Sequence, residues 1–272
     1  MTTNRNCPIS HRRTVLREVQ RLAWVSVLLA SDVAQAGILD GNLSQSDIAN
    51  IHRISVVASL GNTLRAFFPG ITVFGNRGFD QAVPEWSIDT AATQDVISEI
   101  QQQGQFTADS LNTVDLKLPE MGDSPDRTFL TGTDKATLLA QARRQGADTL
   151  LVVMPAQNPH SIARPGFGLG GGKAFGKLHE CVIASLGIFV FRVIDGHMVG
   201  RAVPDPCVMK STQFQLKNSW SEYSAEEQSA LEGAIKQGIA LQIGTMLDSL
   251  RLTTNSVATA NHSANLGDNS KN

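Results

Sequence analysis

The last third of the chain has apolar residues at intervals of three or four positions. They are Leu231, Ile235, Ile239, Ile243, Met246 and Leu250. This spacing places them on one side of a helix of about 25 residues. Ser224 and Glu227 come just before it with the S-x-x-E spacing of a capping box, which satisfies two backbone N–H groups at a helix start. The pattern predicts a long C-terminal helix that packs on a sheet.

Two earlier segments also have helical spacing. The first runs over about 90–103 and ends at Gly104, a typical helix stop. Its apolar face consists of Ala92, Val96 and Ile100. The second begins behind Thr133, a capping residue, and ends at Gly146. Both segments predict helices with one buried face.

Runs rich in β-branched and apolar residues predict strands. They cover 53–60, 71–76, 113–118, 148–154, 181–194 and 197–203. The run Asp148–Met154 is continuously apolar after its first residues, as in a strand covered on both faces. Asp195 and Gly196 form a typical hairpin turn between the last two strands.

The resulting element order is β–β–α–β–α–β–β–β–α. It predicts an α/β fold: a single domain, residues 45–252, with a mixed β-sheet, flanking helices and the long C-terminal helix. Residues 253–272 are rich in Asn, Ser, Thr and Ala, which predicts a disordered tail. Over about 50–250 the element order, without a shared motif, resembles the periplasmic α/β domains of the curli-secretion pore lipoprotein and of the Tol system's periplasmic partner. That resemblance implies a binding or assembly role in the bacterial envelope.

The amino terminus has the layout of an export signal. Its basic residues are Arg5, Arg12, Arg13, Arg17 and Arg21. The apolar run Leu22–Ala30 follows, and then small residues at Ala34 and Ala36. This predicts a signal peptide over 1–36, cleaved after Ala36, and a periplasmic or secreted product. The apolar run is shorter than the roughly 20 residues of a membrane span. The Arg12–Arg13 pair also fits a twin-arginine signal, so the export route stays open. The alternative to export is an oligomeric cytoplasmic protein that retains this segment as a helix in its oligomer interface.

The cysteine count agrees with export. Removal of residues 1–36 also removes Cys7 and leaves Cys181 and Cys207, an even pair that favours a disulfide in an oxidising compartment. The alternative is two unpaired thiols. Together with His179 and His197, the two cysteines form the one candidate set of metal ligands in the sequence. The C-x-x-C spacing of zinc sites is missing from this set, so we predict no metal.

Charge and aromatic content argue against nucleic acid as a partner. Residues 1–36 hold five of the 23 basic and two of the 25 acidic side chains, so the remaining chain has a net charge of about -5. Aromatic residues make up 6% of the chain, with a single tyrosine, which argues against a broad platform on which bases stack.

A glycine-rich segment, "RPGFGLGGGKAFGKLHEC", lies at 164–181. Gly166–Gly171 matches G-x-G-x-x-G, but the segment does not join a strand to a helix, as a dinucleotide site requires. Ala174 follows "GGK" where a phosphate loop needs a hydroxyl. We therefore predict no nucleotide and no other cofactor.

The connection over 155–178 is predicted to be a long loop between two core strands, and loops of this length are often functional. We expect it to contact a protein or an anionic ligand. The contact residues would be Arg164, Phe167, Lys173, Phe175 and Lys177.

The leading hypothesis is a non-catalytic binding or assembly protein of the bacterial cell envelope. No G-x-S-x-G or H-E-x-x-H motif is present, and no catalytic residue is assigned. The alternative is a periplasmic enzyme: a thiol enzyme using His179 and Cys181, or a hydrolase. The hydrolase would draw on carboxylates at Asp80, Glu85, Asp89 and Asp95.

Overall fold

The computed structural model describes residues 43–68, 76–113, 130, 132–156, 165–174, 177–210 and 214–253. In chain order their elements are α1 (Gln45–Ala49), β1 (Arg53–Ala58), β2 (Thr63–Phe68), β3 (Arg77–Ala82), α2 (Ile88–Gln103), β4 (Thr107–Ser110), α3 (Gly132–Arg144), β5 (Thr149–Pro155), β6 (Gly166–Ala174), β7 (Lys177–Arg192), β8 (Met198–Ala202), β9 (Cys207–Lys210) and α4 (Ala225–Ser249). Two short 3-10 turns lie at Pro84–Trp86 and Trp220–Glu222. The predicted signal peptide and the predicted tail beyond Thr253 lie outside the described residues.

The 16-residue strand β7 organises the sheet. Its first half pairs with β6 and β9, and its second half pairs with β5 and β8. The path through the sheet is β3-β2-β6-β7-β5-β1-β4, with β8 and β9 as further neighbours of β7. β1 is parallel to β4 and β5, and β2 is parallel to β6, whereas the other pairs are antiparallel.

Strands β5 and β6 follow one another along the same edge of β7. The N–H of Ala156, just after β5, donates to the carbonyl oxygen of Ser185 at 3.1 Å, and Gly166 of β6 pairs with the same Ser185. The N–H of Ala184 donates to Pro206, just before β9, at 2.8 Å. Because adjacent residues of a strand direct their hydrogen-bonding groups to opposite edges, β9 lies on the other edge.

Side chains of β7 alternate between the two faces of the sheet and pack into two separate cores. Even-numbered residues from Val182 to Val190 belong to a first core, shared with α2 and α4. Phe189, Phe191 and Val193 belong to a second core, shared with α3, β1 and β5. Among the described residues, the second core includes none from β2, β3, β6 or the first half of β7. In the described chain, helices therefore cover only one face of the half-sheet formed by β2, β3, β6 and the first half of β7.

The α/β class with a mixed sheet and a long C-terminal helix is confirmed. The apolar side chains predicted for α2 and α4 are all buried, and Ser224 and Glu227 form the predicted capping box. The second strand is β2 at 63–68, earlier in the chain than the predicted strand over 71–76. Most of that predicted segment lies outside the described residues, and so does most of the predicted strand over 113–118. Thr253 is buried, although it is the first residue of the tail that the sequence predicts to be disordered. No helix of the described residues has the length and hydropathy to cross a membrane.

Candidate functional site

The glycine-rich segment is a strand, which corrects the loop predicted over 155–178. Gly166–Ala174 is β6, and it lies between β2 and β7 in the sheet. Phe167 and Leu169 alternate with glycines and are 1% and 4% exposed in the first core. Phe167, predicted to contact a partner, is therefore a core residue. The alternation of apolar residues with glycine was the signal for a strand, and the glycines concealed it.

Two glycines of β6 are required by packing. A Cβ atom on Gly168 would collide with the carbonyl oxygen of Arg65 in β2, and one on Gly170 would lie 2.8 Å from the side chain of Ile183 in β7. Arg65 also donates through Nη1 to the carbonyl oxygen of Pro165 at 3.0 Å. These glycines let neighbouring strands approach closely, which is a structural role rather than phosphate binding.

The outer part of the β6–β7 hairpin extends beyond the described lengths of its neighbouring strands. We call the paired segments Gly171–Ala174 and Lys177–Glu180 the arm. β2 pairs with β6 no further than Gly170, and β9 pairs with β7 no further than Cys181. Within the described residues, the arm pairs with no third strand.

The arm contains two of the five predicted contact residues. Lys173 pairs with Leu178, and Lys177 pairs with Ala174. Arg164 and Phe175 lie outside the described residues. The sequence of the arm has one acid, Glu180, against the two lysines, so this projection is cationic on a chain that is otherwise acidic after residue 36.

The two cysteines meet at the base of the arm. Cys181 of β7 is half-buried and Cys207 of β9 is exposed, and the structure holds them as unbonded thiols. Burial raises the pKa of the Cys181 thiol, and its hydrogen bond with Cys207 and the nearby charge of Asp205 raise the pKa further. A nucleophilic cysteine needs a lowered pKa, so this setting disfavours the thiol-enzyme alternative.

The histidines do not join the cysteines into a metal site. His197 is exposed beyond the turn that follows β7, and the N–H of Arg192 donates to its carbonyl oxygen at 2.9 Å. Arg192 is the last residue of β7 and Cys181 lies eleven positions before it, roughly 36 Å away for an extended strand. His197 is therefore remote from Cys181, and the two side chains do not form one ligand set. No group of three or more His, Cys, Asp or Glu side chains suited to a metal occurs in the part of the chain that the structure describes.

One carboxylate is held against the backbone of the sheet. Asp89, in the first turn of α2, accepts a hydrogen bond from the N–H of Leu60 at 2.6 Å and another from Gly61. Burial raises the pKa of Asp89 to about 6, and the two hydrogen bonds oppose that rise. Its sequence position did not reveal this role because Leu60 lies 29 positions earlier. Asp80 and Glu85 are exposed at separate elements, β3 and the first 3-10 turn.

Comparison with known proteins finds likeness in fold alone. No family model and no curated protein matches the chain. A solved PelC dodecamer from Paraburkholderia phytofirmans is 10% identical, with a TM-score of 0.30, over 76% of this chain and 91% of that one. A Xanthomonas campestris protein of family DUF330 is 10% identical, with a TM-score of 0.33, over 79% and 88%. The C-terminal domain of LpoB from Salmonella enterica is 15% identical, with a TM-score of 0.26, over 64% and 91%. Likenesses this distant assign neither a family nor an activity.

Proposed function

We propose that this chain is a non-catalytic binding protein of the bacterial cell envelope and that it contacts a partner protein through the arm. The observation that carries the proposal is that the arm pairs with no third strand of the described chain. An isolated two-stranded hairpin is at best marginally stable in water. A partner that adds a strand to one edge would pair with the N–H and C=O groups that no described strand uses.

Charge selects the kind of partner surface. Lys173 and Lys177 lie on an arm with a single acid, whereas the chain after residue 36 is acidic overall. An acidic partner surface would be attracted to the arm and repelled by the rest of the domain. Complementary charge of this kind speeds association and fixes orientation.

The envelope location rests on the amino-terminal sequence. The basic head, the apolar run Leu22–Ala30 and the small residues before Gly37 support export and cleavage. The meeting of Cys181 and Cys207 supports the same compartment, because a disulfide can form there.

Site-specific crosslinking in the cells that make the protein tests the contact surface. A photoreactive amino acid replaces Lys173, Lys177 or, as a control on α4, Lys236. We expect one discrete adduct from both arm positions and none from position 236. The double variant Lys173→Glu/Lys177→Glu, probed from position 178, should lose the adduct, and Arg144→Glu/Lys236→Glu should keep it. Equal crosslinking at all positions, or an adduct that survives reversal of the arm charge, would contradict the proposal.

The location has its own test. The mass of the mature amino terminus and the fraction that contains the protein should show a chain that begins at Gly37 in the envelope. A chain that begins at Met1 in the cytoplasm would overturn export and leave the arm as a contact surface to be judged by crosslinking.

A further inference from the structure

A cavity of about 210 Å³ lies at the carboxyl ends of β1 and β4, beside the first turn of α2. Its polar lining consists of Asp89, Thr90, Gln94, Ser110 and Thr113, together with Thr93. Thr93 is engaged in the fold, since its hydroxyl accepts the N–H of Ala58 at 3.1 Å and donates to the carbonyl of Asp89 at 2.8 Å. The cavity shares no residue with the arm.

The topology places this cavity where open α/β sheets bind ligands. β1 and β4 are parallel neighbours. From β1 the chain passes through β2 and β3 and then reaches β4 through α2, which packs on the face of the first core. It continues from β4 to β5 through α3 on the face of the second core. Connections that leave adjacent strands toward opposite faces create a crevice at the carboxyl ends of the strands.

The charge that the described residues give the cavity is negative, and none of the described lining residues is a cation. Asp89 is the one ionisable group among the described residues that line it. The same elements have four other charged residues, and none of them lines the cavity: Asp95 and Glu99 of α2, Asp109 of β4 and Arg53 of β1. Arg53 forms an ion pair with Asp109 at 2.9 Å. The N–H groups of Leu60 and Gly61 occupy two of the roughly four acceptor positions of a carboxylate.

We infer that this cavity binds a primary alkylammonium group, with Asp89 as its counter-ion and the hydroxyl oxygens of Thr90, Ser110 and Thr113 as further acceptors. An ammonium is a donor of three hydrogen bonds without an acceptor, so it matches a lining of carboxylate and hydroxyl oxygens. The volume corresponds to about seven water molecules at roughly 30 Å³ each, which suits a short amine and excludes a nucleotide. The group belongs to a free small amine or to a lysine side chain of a bound peptide.

Amide NMR of the folded protein tests this inference, with n-butylammonium chloride as the probe at pH 7.5 and matched sodium chloride in the reference. We expect saturable shifts of the Leu60 and Gly61 amides, and at least tenfold weaker binding of 1-butanol, which has no charge. Nα-acetyl-lysine methylamide distinguishes the two sources: tighter binding than butylammonium indicates a lysine side chain, and weaker binding indicates a free amine.

Two variants and a pH series separate binding from a structural effect. Asp89→Asn should keep a dispersed spectrum and lose at least tenfold in affinity, whereas Asp95→Asn should bind as the unmodified protein does. Because the carboxyl of Asp89 ionises near pH 6, affinity should fall about tenfold between pH 7 and pH 5. Absence of saturable shifts, equal binding of 1-butanol, or unchanged binding by Asp89→Asn would overturn the inference.

Discussion

The thiols of Cys181 and Cys207 lie across neighbouring strands, β7 and β9, and their interaction raises the pKa of Cys181 beyond the effect of burial. The pairing register shifts between Val182 and Ile183, and the bulge lies between the two cysteines along the ladder. Along β7, Cys181 directly follows the arm segment Lys177–Glu180. A covalent link here would fasten β9 to β7 at the base of the arm.

We predict that protein recovered from its own cells contains a Cys181–Cys207 disulfide. The crosslink closes a loop of about 26 residues, which corresponds to about 3 kcal/mol of stability. Urea unfolding with and without reductant measures this difference, and thiol counting in denaturant measures the bond itself. The double variant Cys181→Ser/Cys207→Ser is the matched control, and reductant should not change its stability. Two free thiols in the cell-derived protein would contradict the prediction.

Close packing of β6 on β2 makes a second prediction. A Cβ atom at Gly168 would overlap the carbonyl oxygen of Arg65, a backbone atom that cannot turn away. Gly168→Ala should therefore lower the free energy of unfolding by at least about 3 kcal/mol. Gly233, in α4, has no atom within 4 Å of a Cβ position, so Gly233→Ala should instead raise it by about 1 kcal/mol. Urea midpoints that coincide for the two variants would show that this approach is not tight in solution.

Some elements were predictable from the sequence because a single face of each is buried. In α4 and α2 the apolar spacing of three to four residues corresponds directly to burial in the first core. β4 gave no such signal, because in the four residues Thr107–Ser110 only Ala108 is buried. β6 was missed for a different reason: glycine favours loops, yet here it alternates with Phe167 and Leu169 because neighbouring strands need the space.

The candidate sites depended on contacts far apart in the sequence. The presence of two cysteines suggested a pair, and the topology placed them on adjacent strands. The projection of the arm could not be predicted because it depends on where the described neighbouring strands end. The link from Asp89 to Leu60 could not be predicted because it joins residues 29 positions apart. Local patterns predict which face of an element is buried, whereas a site depends on the tertiary arrangement.

The start of α4 makes a third prediction. The N–H of Ser224 donates to Glu227 at 2.7 Å, and the N–H of Glu227 donates to the hydroxyl of Ser224 at 3.3 Å. Ser224→Ala removes one of these acceptors and should lower the free energy of unfolding by about 1 kcal/mol. Ser229→Ala, at an exposed position of the same helix, should be neutral or slightly stabilising. An equal loss in both variants would indicate that the cap contributes nothing specific.

Asp89 makes the stability of the domain depend on pH in an unusual direction. Burial raises the pKa of its carboxyl from 3.8 to about 6, so the folded state binds the proton more tightly than the unfolded chain does. The stabilisation that Asp89 gives is then fully present below about pH 4 and is lost as the pH rises through about 6. Asp195, Glu226 and Glu227 act in the opposite direction, since hydrogen bonds lower their pKa values. The contribution of Asp89 therefore has to be measured as a difference between two proteins.

The comparison is between the unmodified protein and Asp89→Asn, which retains an oxygen that can accept the N–H of Leu60 and has no charge to desolvate. The asparagine variant should gain stability relative to the unmodified protein as the pH rises from about 4 to 7, by about 3 kcal/mol at most for a shift of roughly two pKa units. Urea unfolding of both proteins at pH 4.5, 6 and 8 measures the difference. Asp89→Ala, which loses the acceptor as well, should be less stable than Asp89→Asn at every pH. A difference between aspartate and asparagine that is constant with pH would show that this carboxyl is as well solvated in the folded domain as in the unfolded chain.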